Sequence, residues 1–126
     1  MRSSYSLKRF HKGLLHFAHV ELDVETLRGE VDVIVLGPEV RTAQSRAIDQ
    51  AKVEIDTWVA AAVNGIKGVL AGPRVATTPP RRYRVTIERL DPHWPDSSAN
   101  AFECAAAMAT FKALFPNAAE PRFELE

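Results

Sequence analysis

Tyr83-Arg84-Val85-Thr86-Ile87-Glu88-Arg89-Leu90 alternates apolar and polar side chains, and Asp91-Pro92-His93-Trp94-Pro95-Asp96-Ser97-Ser98 separates it from the alanine-rich run Ala99 to Phe115. The hydrophobic period changes from two to about 3.6 across that break, so a half-buried strand hands over to a helix. In the helical run Phe102, Ala105, Ala106, Ala109 and Leu114 share roughly one face, and Pro116 stops it. Asp96, Ser97 or Ser98 caps the helix, Asp96 and Ser97 being the first choices, because a short side-chain oxygen can accept from the free N–H groups of the first turn. The prolines between the two elements present His93 and Trp94 on an exposed turn.

Working back toward the N-terminus, Ala18, Val20, Leu22 and Val24 alternate with His19, Glu21 and Asp23, which predicts a strand over 17–24. Glu25 to Glu30 reads as a turn, and Val31, Val33 and Val35 resume on the inner face of a second strand ending at Gly37-Pro38. The short connection predicts an antiparallel hairpin between these two. From 39 to 72, Ile48, Ala51, Ile55, Trp58, Val59, Ala62, Ile66 and Leu70 recur at helical spacing, predicting one amphipathic helix, weakened at Asn64-Gly65 and ended by Gly72-Pro73. Beyond Pro116, Phe123 and Leu125 alternate with Arg122, Glu124 and Glu126, consistent with a short last strand. Since each strand has one apolar and one charged face, both helices are expected on the same side of the sheet. The expected fold is a two-layer α/β sandwich in the order ββαβαβ.

At 126 residues and 46% apolar content the chain matches one domain with a real core. The lone Cys104 excludes an internal disulfide and sits in a helical run as a small apolar residue, which fits a reducing cytoplasmic setting. No apolar stretch approaches the ~20 residues that cross a bilayer, and no membrane association is expected. Net charge is zero. The charges are uneven, however: residues 1–20 hold Arg2, Lys8, Arg9 and Lys12 and no acid. Residues 1–15 are therefore read as a basic N-terminal arm, either a solvated tail or an arm that touches phosphates, ahead of a domain over 16–126.

Several stretches taken together resemble domain IV of the bacterial translocation factor elongation factor G, shared with other translational GTPases. His19-Val20-Glu21-Leu22 is similar to that family's Gly-His-Val-x-[Ile/Leu] strand, and Glu25-Thr26-Leu27-Arg28-Gly29 to its Glu-Pro-Leu-x-x-Gly turn. Gly65-Ile66 with Leu70-Ala71-Gly72-Pro73 resembles its Gly-Ile-x3-Leu-x2-Gly-Pro helix end. His93, Asp96-Ser97-Ser98 and Ala101-Phe102 match its His-Asp-Val-Asp-Ser-Ser-x-x-Ala-Phe. Pro121 to Glu126 falls where the family passes into its next domain. The resemblance runs over residues 16–126. It implies the ribosomal protein S5 domain 2-like fold with a left-handed βαβ crossover, and a tip that enters the small-subunit decoding centre to meet tRNA and mRNA. Where the family's tip reads Gly-Gln-Tyr-Gly, this chain has Leu15-His16-Phe17-Ala18. No Gly-x4-Gly-Lys-[Ser/Thr] loop is present, so neither a nucleotide cofactor nor GTP hydrolysis is implied.

The expected contact surface is accordingly Lys12, His16 and Phe17 together with His93, Trp94 and Asp96. Two readings of the turn are open: His93 and Trp94 stack on or bond to an unpaired base, or Trp94 folds back over the end of the sheet. Arg81, Arg82, Arg84 and Arg89 are read as a mixed, cross-strand-paired surface, with a phosphate groove as the alternative. His16 and His19 lie three apart on a strand and so face opposite ways, which gives no joint metal site. Cys104, His93 and Asp96 lack the glycine loop that would donate to an oxyanion, and no catalytic residue is assigned. The function expected is a non-enzymatic module, without cofactor, that binds the ribosome or structured RNA. The alternative is a protein-interaction module reusing the fold, including self-association through the edge of the last strand.

Overall fold

The computed structural model describes residues 1–29, 31–72, 82–91 and 98–118. The chain runs β1 (Arg2–His11), β2 (Leu14–Leu27), β3 (Val33–Leu36), α1 (Pro38–Arg46), α2 (Asp49–Leu70), β4 (Arg82–Asp91) and α3 (Ala99–Leu114). The four strands form one mixed sheet in the order β1-β2-β4-β3, with β3 parallel to β4 and the other pairs antiparallel. The helices bury one face of the sheet in a two-layer α/β sandwich.

The basic segment expected to be a solvated arm is instead β1, paired along its whole length with β2 from Arg2↔Asp23 to His11↔Leu14. Lys12 and Gly13 make the connection at φ +52° and +78°. Two residues with positive φ are what a type I′ turn requires, and its twist matches that of the strands it joins. Tyr5 and Leu7 then face the core beside Val20 and Ala18, and Leu7 is fully buried. The sheet's inner face thus gains a fourth strand from residues whose charge alone suggested solvent.

The expected hairpin between residues 17–24 and 31–35 does not form. β2 and β3 flank β4 on opposite sides, and β3 joins β4 by a parallel crossover through α1 and α2. Residues 31–36 are apolar except Asp32, so alternation could not orient them. Ile34 and Leu36 pack on the core while Val33 and Val35 face outward, the reverse of the expected assignment. The Asp32 carboxylate accepts the Tyr83 backbone N–H at 2.8 Å and fixes the entry of β3 against β4. The observed order is therefore βββααβα; the strand expected over 121–126 and the connector 73–81 lie outside the described residues.

The single helix expected over 39–72 is two, broken where Ala47 and Ile48 are extended and Asp49 adopts φ +55°. Ile48 and Ala51 consequently point to solvent, and the buried stripe of α2 starts near Ile55. Asn64-Gly65 does not weaken α2. Gly65 is where the helices cross most closely: a Cβ there would lie 2.2 Å from the Glu103 carbonyl oxygen of α3. α3 lies against β1 and β2 on one side and α2 on the other, so nearly every residue from Ala101 to Phe111 is buried. That double coverage explains its alanine content, since small side chains let a helix approach two neighbours at once. Phe102 is wholly buried with its ring 5.2 Å from that of Trp58, a contact that locks α2 to α3.

Candidate nucleic-acid interface

β4 ends at Asp91, opposite His19 of β2, so beyond that pair β2 has only β1 as a partner among the described residues. The hairpin from Lys8 to Phe17 therefore extends past the described part of β4. The register of Leu7 with Ala18, which face the core, sends Lys8, Phe10, Leu15 and Phe17 to the face of the sheet that the described helices leave open. Phe10 is 79% exposed and Leu14 is 65% exposed, with Lys8 and Lys12 exposed beside them. The tip thus combines an aromatic face, aliphatic surface and two cations.

Lys12 occupies the turn itself, where an asparagine would adopt the left-handed conformation at less cost than lysine. His16 and Phe17 are adjacent on β2 and point to opposite faces. Phe17 is half-buried across from Lys8, whereas His16 lies on the helix side, its Nδ1 3.1 Å from Ser98 Oγ. Ser98 is the N-cap of α3, and its Oγ also accepts the Ala101 backbone N–H at 3.1 Å. The anticipated surface is therefore divided: Lys12 is exposed at the hairpin's turn, Phe17 is half-buried on the face away from the helices, and His16 belongs to the joint between the hairpin and α3. His93, Trp94 and Asp96, and the expected caps Asp96 and Ser97, lie outside the described residues. Their flanks are placed, however. Asp91 pairs with His19 and Ser98 touches His16, so these two residues both lie against residues 16–19 of β2.

Reading residues 1–15 as an arm does not place Lys8 and Phe10 on an exposed hairpin tip. The signal that could have found them is Lys12-Gly13, a two-residue pair with glycine at the second position between two extended runs.

A second group sits on the open face where β4 meets β2. Arg89 Nε is 2.7 Å from Asp91 Oδ2, 3.7 Å from Glu21 Oε2 and 3.9 Å from Glu39 Oε1. The Asp91 hydrogen bond and charge, helped by Glu39 and Glu21, raise the Arg89 pKa above its ordinary value. His19 joins the group: its Nε2 lies 3.4 Å from Glu21 Oε2, and its Nδ1 is 2.5 Å from Ser6 Oγ. The expected cross-strand pairing of Arg89 is thus present, while Arg82, Arg84 and Arg89 do not gather into one basic patch: Arg82 and Arg84 pair with Leu27 and Glu25 toward the far end of β4. Cys104 is buried in α3.

No family model and no curated protein sequence matches the chain. Among solved structures, the chain is similar to the crystal structure of a protein from Thermus thermophilus, at a TM-score of 0.61 and 21% identity. The match covers 88% of this chain and 15% of the other, so the chain spans a small part of that larger protein's length. At this identity the likeness is one of fold.

Proposed function

We propose that this chain is a non-enzymatic module, similar to domain IV of elongation factor G, that binds ribosomal or other structured RNA through the end of the molecule carrying the β1–β2 hairpin tip. The observation that carries this reading is the tip itself: Phe10 projecting at 79% exposure between the exposed Lys8 and Lys12, on a hairpin that runs beyond the described part of β4. Unpaired bases offer π faces to an aromatic ring, and phosphates offer charge to lysine, so an aromatic flanked by cations suits a nucleic-acid strand independently of its sequence. The rigid two-residue turn favours insertion into a groove or cleft, because little chain entropy is lost on binding. Asp91 and Ser98 both lie against residues 16–19 of β2, and the proposed contact includes His93 and Trp94.

The reading is tested by titrating isotope-labelled protein with a short structured RNA and following backbone amide shifts. Shifts concentrated at residues 8–14 and near Ser98 are expected. Shifts confined to the far end of the sheet, around Leu27 and Arg82, or none at all, would refute it.

A second reading, a protein-interaction module, draws on a different observation. Ile34, Leu36, Val59, Val63 and Leu70 line an open groove of about 710 Å³ between β3 and α2, rimmed by Asp32, Lys67 and Arg82. An apolar floor with a charged rim suits a peptide or a partner's helix. Binding there would be only weakly salt-dependent and would leave the hairpin untouched.

A further inference from the structure

The open-face cluster at His19 has a composition that ordinary cross-strand pairing does not require. Glu21, Glu39 and Asp91 all approach Arg89 within 4 Å, so one guanidinium faces three carboxylates. Within this group two negative charges are left in excess, directly beside an imidazole. Such an excess favours a divalent cation, whose charge would balance it.

We propose that His19, Glu21 and Asp91 form a binding site for a divalent transition metal of the Zn²⁺ type, with Arg89 acting as the counter-ion that the metal displaces. One ligand atom from each of the three residues lies within 4.8 Å of the others. His19 and Glu21 are two apart on β2 and so share a face, and Asp91 is the cross-strand partner of His19. The register of the sheet thus holds the three together. The 3.4 Å between His19 Nε2 and Glu21 Oε2 equals the edge of a tetrahedron built on bonds of about 2.1 Å, the usual length for zinc with imidazole or carboxylate. Little movement is required of that pair.

Ser6 completes the arrangement from β1. With Nδ1–H donating to Ser6 Oγ, the His19 ring is fixed and Nε2 presents its lone pair toward the two carboxylates. One nitrogen with two carboxylate oxygens suits zinc, cobalt, nickel or manganese better than calcium, which prefers a full set of oxygens. Asp91 must release Arg89 for the metal to bind. Arg89 is 49% exposed, so its guanidinium can move into water. Glu39 stands within reach of the same place and can follow either cation. A metal here would clip the described end of β4 to β2.

The experiment is calorimetric titration of the full chain with ZnCl2 in a buffer that does not chelate, supported by NMR of the histidine rings. One-to-one saturable binding is expected, with the His19 ring signals shifting. His19→Gln and Asp91→Asn should each weaken binding by at least about tenfold, the loss typical of removing a metal-site partner. Arg89→Gln should strengthen it, since the competing cation is gone, and His16→Ala, on the opposite face, should leave it unchanged. The proposal is overturned by absence of saturable binding, by binding that survives His19→Gln but is lost in His16→Ala, or by weaker binding in Arg89→Gln. Circular dichroism of each variant separates a lost ligand from a lost fold, and Glu21→Gln gives an independent ligand removal.

Discussion

Gly65→Ala and Gly68→Ala, two identical changes one turn apart on α2, are expected to move stability in opposite directions. At Gly65 an added Cβ would lie 2.2 Å from the Glu103 carbonyl oxygen, 3.1 Å from the Glu103 carbonyl carbon and 3.2 Å from the Ala107 nitrogen. Carbon and oxygen ordinarily stay at least about 3.3 Å apart, so α2 and α3 must separate by roughly 1 Å at their crossing. The obstacle is backbone of α3, itself held between α2 and the sheet, and has no rotamer by which to escape. Overpacking of this kind costs typically about 1–3 kcal/mol and sometimes more, while alanine in place of a helical glycine returns about 1 kcal/mol. With the obstacle rigid, a net loss of about 2 kcal/mol is expected. At Gly68 nothing lies within 4 Å of the new Cβ, so only the propensity gain of about 0.5–1 kcal/mol remains. The two variants should differ by about 3 kcal/mol, on the order of a hundredfold in the ratio of folded to unfolded chain. Urea denaturation followed by circular dichroism reads this as midpoints displaced to opposite sides of wild type at unchanged slope. A Gly65→Ala protein as stable as wild type would refute the close crossing and, with it, the packing of the helical layer.

Lys12→Asn should stabilise the fold by up to about 1 kcal/mol in the same denaturation assay, because asparagine tolerates the φ of +52° that lysine adopts at cost; it should at the same time lower RNA affinity, and a variant that gains or loses in both would contradict the separation of roles. Ser98→Ala should cost about 1 kcal/mol by removing the acceptor of the Ala101 N–H, with Ser98→Asp retaining most of the stability; equal stabilities for all three proteins would show that the cap contributes nothing. Phe102→Ala should cost about 3–5 kcal/mol by emptying a fully buried aromatic site, and near-ultraviolet dichroism should change as Trp58 loses its neighbouring ring.

How much of this was legible in the sequence depended on whether the two faces of an element differed in polarity. β4 and the part of β2 from Ala18 to Val24 were read directly, because Val85 and Ile87, and Val20 and Leu22, alternate with charged or polar neighbours. α3 was clear from its alanine spacing and from Pro116 after it. β3 has apolar residues on both faces, so its orientation, its partner and its parallel direction were set only by packing. β1 was hidden for the opposite reason. Tyr5 and Leu7 are the only large apolar residues on its inner face, and the surrounding lysines and arginines outweighed them in a reading based on charge. Losing β1 also hid the proposed contact surface, since Phe10 gains meaning only once the Lys12-Gly13 turn carries it beyond the described part of β4. The break at Asp49 left no mark in the hydrophobic spacing, which continues through Ile48 and Ala51 although both are exposed. Gly65 was read as a weakness of the helix, whereas the space it leaves is filled by the neighbouring helix. The group around His19 required the register of β2 against β4, since Asp91 and His19 are far apart in sequence and meet only across the sheet.

The hairpin tip is tested most directly by co-sedimentation with ribosomal small subunits, wild type against a Lys8→Glu, Phe10→Ala, Lys12→Glu variant shown by circular dichroism to be folded. The wild type should bind saturably at about 50 mM salt. Two phosphate contacts give a slope of about −1.4 in log affinity against log salt, so affinity should fall roughly sevenfold by about 200 mM. The variant should bind at least about tenfold more weakly, since stacking on one base alone is worth about 1–3 kcal/mol. Wild-type protein that fails to bind at low salt, or a folded variant that binds as well as wild type, would contradict the hairpin as an RNA-binding tip.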